Sequence, residues 1–293
     1  MPPDTPLNSL PNEASFAIFP FSLLLSILND LPTSDLLPLT AVSHHFSSIA
    51  LRIFHHRLHN LAVSLSPSGR HKLILECYHP TAKISTPYLY CEYLSTDQFY
   101  DESSDSALRN SLGEVYSHFK PVLQDENRRP RMRYPRRRPE PEEEEEQTVP
   151  HQDIYLDADE WFSQLCVITN LVKLGPKPGL FLSHVNISEG LIRLKRNFLS
   201  TASSNRTAES EVLWADTKQT IGLKFKIEEK ETGIEGPVLV AEGEELPVAY
   251  RLQFEELVVR TGELLEAFEG AERQEGEVDG EGREGRAVVI AAF

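Results

Sequence analysis

The sequence predicts a multidomain α+β chain: a small three-helix module followed by a mainly antiparallel β domain, read as a β-sandwich, with a long disordered insertion. Three observations predict it. Apolar residues recur at intervals of three and four between Phe19 and Leu58. From His71 onward the period shortens to two, in separate stretches with no regular helices between them. Between residues 124 and 152 or so the apolar pattern stops and blocks of single-sign charge replace it.

Residues 1–15 are rich in Pro, Asn and Ser and read as a disordered lead-in. The helical module spans 16–62. Pro20 suits the first turn of a helix, where its missing N–H leaves no bond unmade, and Asn29-Asp30 ahead of Pro32 end that helix. A second short helix runs through Val42, with Thr33, Ser34 and Asp35 as alternative caps. With Asp35 as N-cap, Pro38 falls at N3, where no intrahelical donor is required. Ser43 caps a third, longer helix with the stripe Phe46, Ile49, Ala50, Ile53, Arg57 and Leu61. The first helix carries more leucine than it needs. A stripe of Leu24, Ile27, Leu28 and Leu31 packs one side, yet Leu23 and Leu25 lie off it. The surplus predicts one face packed within the module and another reserved for a partner protein.

In order and spacing, Phe19-Pro20-x-x-Leu23-Leu24-Leu25-x-Ile27-Leu28-x-x-Leu31-Pro32, Ser34-Asp35-Leu36-Leu37-x-Leu39 and Val42-Ser43-x-x-Phe46 resemble an F-box. Phe19 stands where that family usually has Leu, and Pro38 is unusual within the second helix. The resemblance implies docking on the Skp-family adaptor of an SCF-type cullin–RING ubiquitin ligase. Carried over by pattern, the contacts are Pro20, Leu24, Ile27, Leu28, Leu31, Leu36, Leu39, Val42 and Phe46. It also implies a non-catalytic subunit, in cytoplasm or nucleus, whose β domain holds a protein or glycoprotein substrate and raises its local concentration.

The β domain spans 70–269. Leu73, Leu75 and Cys77 share a face in His71–Tyr78, and Leu89, Cys91 and Tyr93 share one in Tyr88–Leu94, with Pro80–Pro87 connecting the two strands. Tyr88 and Tyr90 on the opposite face, with Trp161 and Trp214, are candidates for a substrate face. Tyrosine is also a favoured residue on any half-covered sheet. Asp97–Asp153 reads as a long insertion, its middle a short docked helix at Leu108–Leu123 through Leu108, Leu112, Val115 and Phe119. Arg128–Arg138 and Glu140–Glu146 follow as solvated charge blocks. The arginines are a nuclear-localisation signal, a patch for an acidic partner, or half of a self-neutralising polyampholyte.

A three-stranded meander is expected next: Ser163–Leu174, a turn at Gly175–Gly179, Leu180–Ile187, a turn at Ser188–Gly190, and Leu191–Leu199. A helix from Asp157, with Glu160 completing a capping box, competes for its start. Ser200–Ser210 reads as a polar loop. Ile221–Glu228 shows the clearest alternation, and Tyr250, Leu252 and Phe254 change phase at Glu255-Glu256, which predicts a bulge. A helical turn at Gly262–Phe268 precedes a Glu/Gly-rich tail over 270–293, whose Ala287–Phe293 is an edge strand or a loose end. The layout, with Phe119-Lys120-Pro121 and Phe162-Ser163-Gln164-Leu165-Cys166, is similar to fungal F-box proteins of undefined substrate.

Composition narrows the chemistry. A net charge of −16 argues against nucleic-acid binding, which depends on neutralising phosphates. Cys77, Cys91 and Cys166 are too widely spaced for a disulfide framework or zinc site and fit a reducing compartment, so the sequons at Asn186 and Asn205 are expected to carry no glycan. The apolar stretch Phe16–Leu28 is expected to be neither signal nor membrane span, given Asp4, Glu13, Pro20 and Asn29-Asp30 around it. No GxSxG, Walker or GxGxxG pattern occurs, so no catalytic residue and no cofactor is expected. No metal is expected either. His55 and His59 lie one helical turn apart without a third ligand in reach, and Asp153, Asp157, Asp159 and Glu160 lack the glycine of a calcium loop. Two other readings remain: a lectin-like or ligand-binding β-sandwich built on the exposed aromatics, and an F-box protein acting outside a ligase.

Overall fold

The computed structural model describes residues 20–83, 86–97, 115–123, 149–176, 180–204, 211–230 and 245–280. The chain divides into two compact units, Met1–Phe54 and His55–Phe293.

The first unit contains α1 (Phe21–Asn29), α2 (Thr33–Leu39) and the first half of α3 (His44–Leu65). The Pro20 carbonyl accepts from the N–H groups of Leu23 and Leu24 at 2.9 and 3.2 Å and so starts α1. The Pro32 carbonyl does the same for Asp35 and Leu36, so α2 begins at Thr33 and not after an Asp35 cap. Pro38 therefore lies inside α2, in its last turn. The carbonyl it leaves without a helical donor belongs to Ser34, which is exposed to solvent. Ser43 Oγ accepts from the Phe46 N–H at 3.3 Å and caps α3. Leu24, Leu28, Leu36, Ile49, Ala50, Ile53 and Phe54 are buried.

The second unit carries β1 (His71–Tyr78), β2 (Leu89–Thr96), β3 (Tyr116–Val122), β4 (His151–Leu156), β5 (Phe162–Leu174), β6 (Phe181–Lys195), α4 (Arg196–Ser204), β7 (Leu213–Trp214), β8 (Ile221–Lys230), β9 (Val248–Arg260) and α5 (Thr261–Gly280). The expected sandwich is corrected here. Among the described residues the nine strands form one antiparallel sheet in the order β6-β5-β1-β2-β3-β9-β8-β7, with β4 also on β9. β4 pairs with Val248–Gln253 of β9, while β3 takes Leu257–Arg260. The sheet curls into a nearly closed barrel. The Leu191 N–H of β6 donates to the carbonyl of Ala215, just past β7, at 2.9 Å. Sandwich and barrel both put alternate side chains inside, so periodicity alone does not separate them.

One continuous apolar cluster fills the interior. It joins Leu73 and Leu75 of β1, Leu165 and Val167 of β5, Leu223 of β8 and Leu252 of β9 to Leu61 and Leu65 of α3, Leu199 of α4, and Leu264 and Phe268 of α5. A buried chain of hydroxyls ties the start of α5 to the sheet. Tyr93 Oη, Thr96 Oγ1, Ser117 Oγ and Thr261 Oγ1 are spaced 2.9, 2.9 and 3.0 Å apart. The two middle hydroxyls, Thr96 and Ser117, each have a partner on both sides, so these buried groups are satisfied.

Four further expectations change, each for a local reason. Leu108–Leu123 is not a helix through its second half. Residues 116–122 are β3, with Ser117, Phe119 and Pro121 facing in, and 108–114 lie outside the described residues. A polar inward residue and a proline concealed the alternation. Pro121 is tolerated because pairing with β9 has ended at Phe119, leaving one edge free for a residue without an N–H. Ser188–Gly190 is not a turn, since β6 runs straight through it and pairs these residues with Thr169, Ile168 and Val167. Gly190 instead admits a close backbone: a Cβ there would sit 2.3 Å from the Ala215 oxygen. The strand expected over Leu191–Leu199 stops at Lys195, and α4 takes Arg196–Ser204 from it and from the expected loop. The helical turn near Phe268 extends as α5 to Gly280, into the stretch read as tail. The bulge in β9 stands where expected, because Lys224 pairs with Glu256 and Phe225 with Phe254, which skips Glu255. The lead-in, both charge blocks and Ala287–Phe293 lie outside the described residues.

Gly190→Val should open the seam between β6 and Ala215. The expected loss of unfolding free energy is about 2 kcal/mol, measured by urea titration with tryptophan fluorescence. Trp161 and Trp214 are both in the second unit and report on it alone.

Candidate functional site

Within the first unit, α1 presents two kinds of apolar residue. Leu24 and Leu28, four apart, are buried. Pro20, Leu23 and Ile27, at spacings of three and four, form a neighbouring stripe, with Leu23 44% and Ile27 55% exposed. Val42, in the turn between α2 and α3, is 65% exposed, and Phe21 is exposed as well. The Phe21 ring is held in place by the Arg52 guanidinium, 5.7 Å from its centroid, and by His45, edge-on at 6.2 Å.

The nine residues carried over as adaptor contacts separate on this basis. Leu24, Leu28 and Leu36 are core. Leu31, Leu39 and Phe46 are half-buried, and Pro20, Ile27 and Val42 face solvent. Phe21 and Leu23 join the exposed set. The carried-over contacts omitted both, although Leu23 was already visible as a leucine off the packing stripe.

The four candidate substrate-face aromatics do not share one site. Tyr88 and Tyr90 meet edge to face at 5.7 Å and lie half-buried on a small cluster of Ile74, Val172 and Phe181. Trp214 packs against Tyr116 at 5.2 Å, close over Gly222. Trp161 stands in the loop between β4 and β5 and is 71% exposed.

That loop is held by a residue with no signature in the sequence. Arg196 is buried, and its Nε donates to the Glu160 carbonyl at 3.0 Å and its Nη1 to the Leu246 carbonyl at 2.9 Å. Its Nη2 donates to the Asp157 carbonyl, and its own N–H reaches the Trp161 carbonyl at 2.9 Å. Glu245 supplies a carboxylate 3.4 Å from Nη1. The Glu160 side chain reaches back to the Asp157 N–H at 3.0 Å, as a capping box does, but a turn follows and not a helix.

Two polar clusters lie across the sheet. Asp153 accepts from Arg251 Nε at 3.0 Å and from Lys230 Nζ at 2.6 Å. The Arg251 bond first, then Lys230 against the opposing effect of burial, pulls its pKa down to about 2. His118 is bonded through Nδ1 to Glu256 and through Nε2 to Asp97 at 2.9 Å, and Lys224 Nζ reaches Glu256 at 2.7 Å. Burial would raise the Glu256 pKa, but hydrogen bonds from Lys224 and His118 outweigh it and the pKa is lowered. These groups pair with one another across strands and tie the sheet together.

Burial pushes the Cys77 and Cys91 thiols far above neutral pH, so neither is a ready nucleophile. Among the described residues no group of three or more His, Cys, Asp or Glu is placed to hold a metal ion. Among them, too, no helix is long and apolar enough to cross a membrane. Comparison with protein-family models, curated proteins and solved structures produced no match.

Two outcomes follow from these contacts. Arg196→Met leaves three carbonyls without their donor and should lower the unfolding free energy by roughly 3 kcal/mol. Limited proteolysis should then cut near 157–161 before elsewhere. Asp153 and Glu256 have folded pKa values below their ordinary 3.8 and 4.5. Their stabilisation is complete above those values and is lost as pH falls through the folded ones. Unfolding free energy should therefore decline between about pH 4.5 and pH 2. Asp153→Asn should flatten the lower part of that decline.

Proposed function

We propose that the chain is a substrate-recognition adaptor of an SCF-type cullin–RING ubiquitin ligase. Its first unit docks on the Skp-family adaptor, and its second unit holds a protein substrate. The observation that supports the reading is the division of α1 into two apolar faces. Leu24 and Leu28 already have a core to occupy, so Leu23, Ile27 and Val42 are apolar surface without an internal use. Burying side chains of this size against a partner contributes about 1.5–3 kcal/mol each before the costs of association.

The role is positional and not catalytic. Tethering a substrate beside a charged ubiquitin-conjugating enzyme raises the effective concentration of its lysines. Three free cysteines fit a reducing cytoplasm or nucleus.

The discriminating variants come from the exposed face. Ile27→Asp and Val42→Asp should each weaken capture of recombinant Skp-family adaptor about 100-fold, with helical circular dichroism unchanged. Leu28→Asp should instead melt the helical unit, because its charge would lie in the core. Adaptor binding at full strength by both surface variants would sink the reading.

A further inference from the structure

Trp161 is an exposed aromatic on a loop whose backbone is tied down. Trp161 is 71% exposed, Leu246 64% and Phe162 42%. Large apolar side chains this open are ordinary when scattered singly, but here Arg196 holds the backbones that carry them close to one another. Trp161 and Phe162 are consecutive. The backbone of Leu246 is brought near that of Glu160 because one buried guanidinium bonds the Glu160 and Leu246 carbonyls at 3.0 and 2.9 Å. The Arg193 guanidinium covers the Phe162 ring from the β6 side at 4.8 Å. The loop is tied down at Asp157, Glu160 and Trp161, so little conformational freedom would be lost if Trp161 were covered.

The charges around this patch are one-sided. Asp157, Asp159, Glu160 and Glu245 are exposed on the loops that carry Trp161 and Leu246, whereas Arg193 and Lys195 lie on the β6 side.

We propose that the Trp161–Phe162–Leu246 patch is a docking site for a peptide segment of another protein, with an aromatic or aliphatic anchor and Lys or Arg residues on one side of it. The anchor covers the Trp161 face, and the cationic residues lie over the carboxylates. Trp161 acts as the hot spot and the charged loop sets orientation and partner choice. Calling the bound segment a substrate rests on the ligase reading above, while the peptide site itself does not.

The test selects a random dodecapeptide display library on the full-length chain. Enriched peptides should carry an apolar anchor with basic residues on one side. A synthesised winner should lose about 30-fold in affinity to Trp161→Ala, the size of an interface hot spot. It should bind less tightly to Asp159→Lys and as salt rises. The thermal transition of Trp161→Ala should match the parent, since the side chain is exposed. Ile27→Asp should bind the peptide normally and Trp161→Ala should capture adaptor normally, so the two proposals fail separately. No enrichment, acidic winners, or winners indifferent to Trp161→Ala would overturn the site. So would a Trp161-dependent dimer in sedimentation velocity, or glycan-array binding lost in Trp161→Ala.

Discussion

An antiparallel sheet of this size ends in two edges of unpaired N–H and C=O groups, and closing them is the constraint on which the second unit depends. Closure happens at a narrow seam. β6 reaches the chain behind β7 through the Leu191–Ala215 hydrogen bond, and the approach is possible because residue 190 has no Cβ. β7 is only two residues long, and α4 packs against both β6 and β8 beside it. With the seam shut, the interior becomes one core that α5 and the end of α3 complete, and Arg57 joins those two helices to each other through Glu269 at 2.7 Å.

Charge is used mainly to hold strands in place. Asp153 links β4 to β8 and β9 through Lys230 and Arg251, and Glu256 links β9 to β3 and β8 through His118 and Lys224. Such pairs are half-screened and individually modest, yet they sit at register positions, so a slipped strand would separate every partner at once. Arg196 does the same for loops. It spends its donors on main-chain carbonyls, which fixes the loop backbones and leaves the side chains of Trp161 and Leu246 facing outward.

Six strands could be read from the chain: β1, β2, β5, β8 and β9, and β6 as two pieces broken at Gly190, while the β9 bulge announced itself as a phase change at Glu255-Glu256. β3 could not, because Ser117 and Pro121 occupy its inward positions and its buried hydroxyl is satisfied by Thr96 and Thr261, far away in sequence. Gly190 misled because glycine marks both turns and close backbone approaches, and only the neighbour at Ala215 tells the two apart. Beyond the helical turn expected at Gly262–Phe268, α5 was masked by its acidic composition. Its inward residues Leu264, Leu265, Phe268 and Ala271 are few, and tertiary burial supplies what helix propensity and periodicity did not advertise.

The sequence by itself determined periodicity: three helices before residue 66, an alternating β region after it, and a surplus of leucine on α1 that one core face could not absorb. Those are local properties, set by neighbours three or four residues away. Only the tertiary structure decided that the strands make one curled sheet, that Leu24 and Leu28 are interior while Ile27 is not, and that one arginine ties the loops carrying exposed Trp161 and Leu246. The reason is physical. Whether an apolar side chain is core or contact depends on what is packed over it, and those partners come from distant parts of the chain, as Leu61 and Leu264 do in the one core.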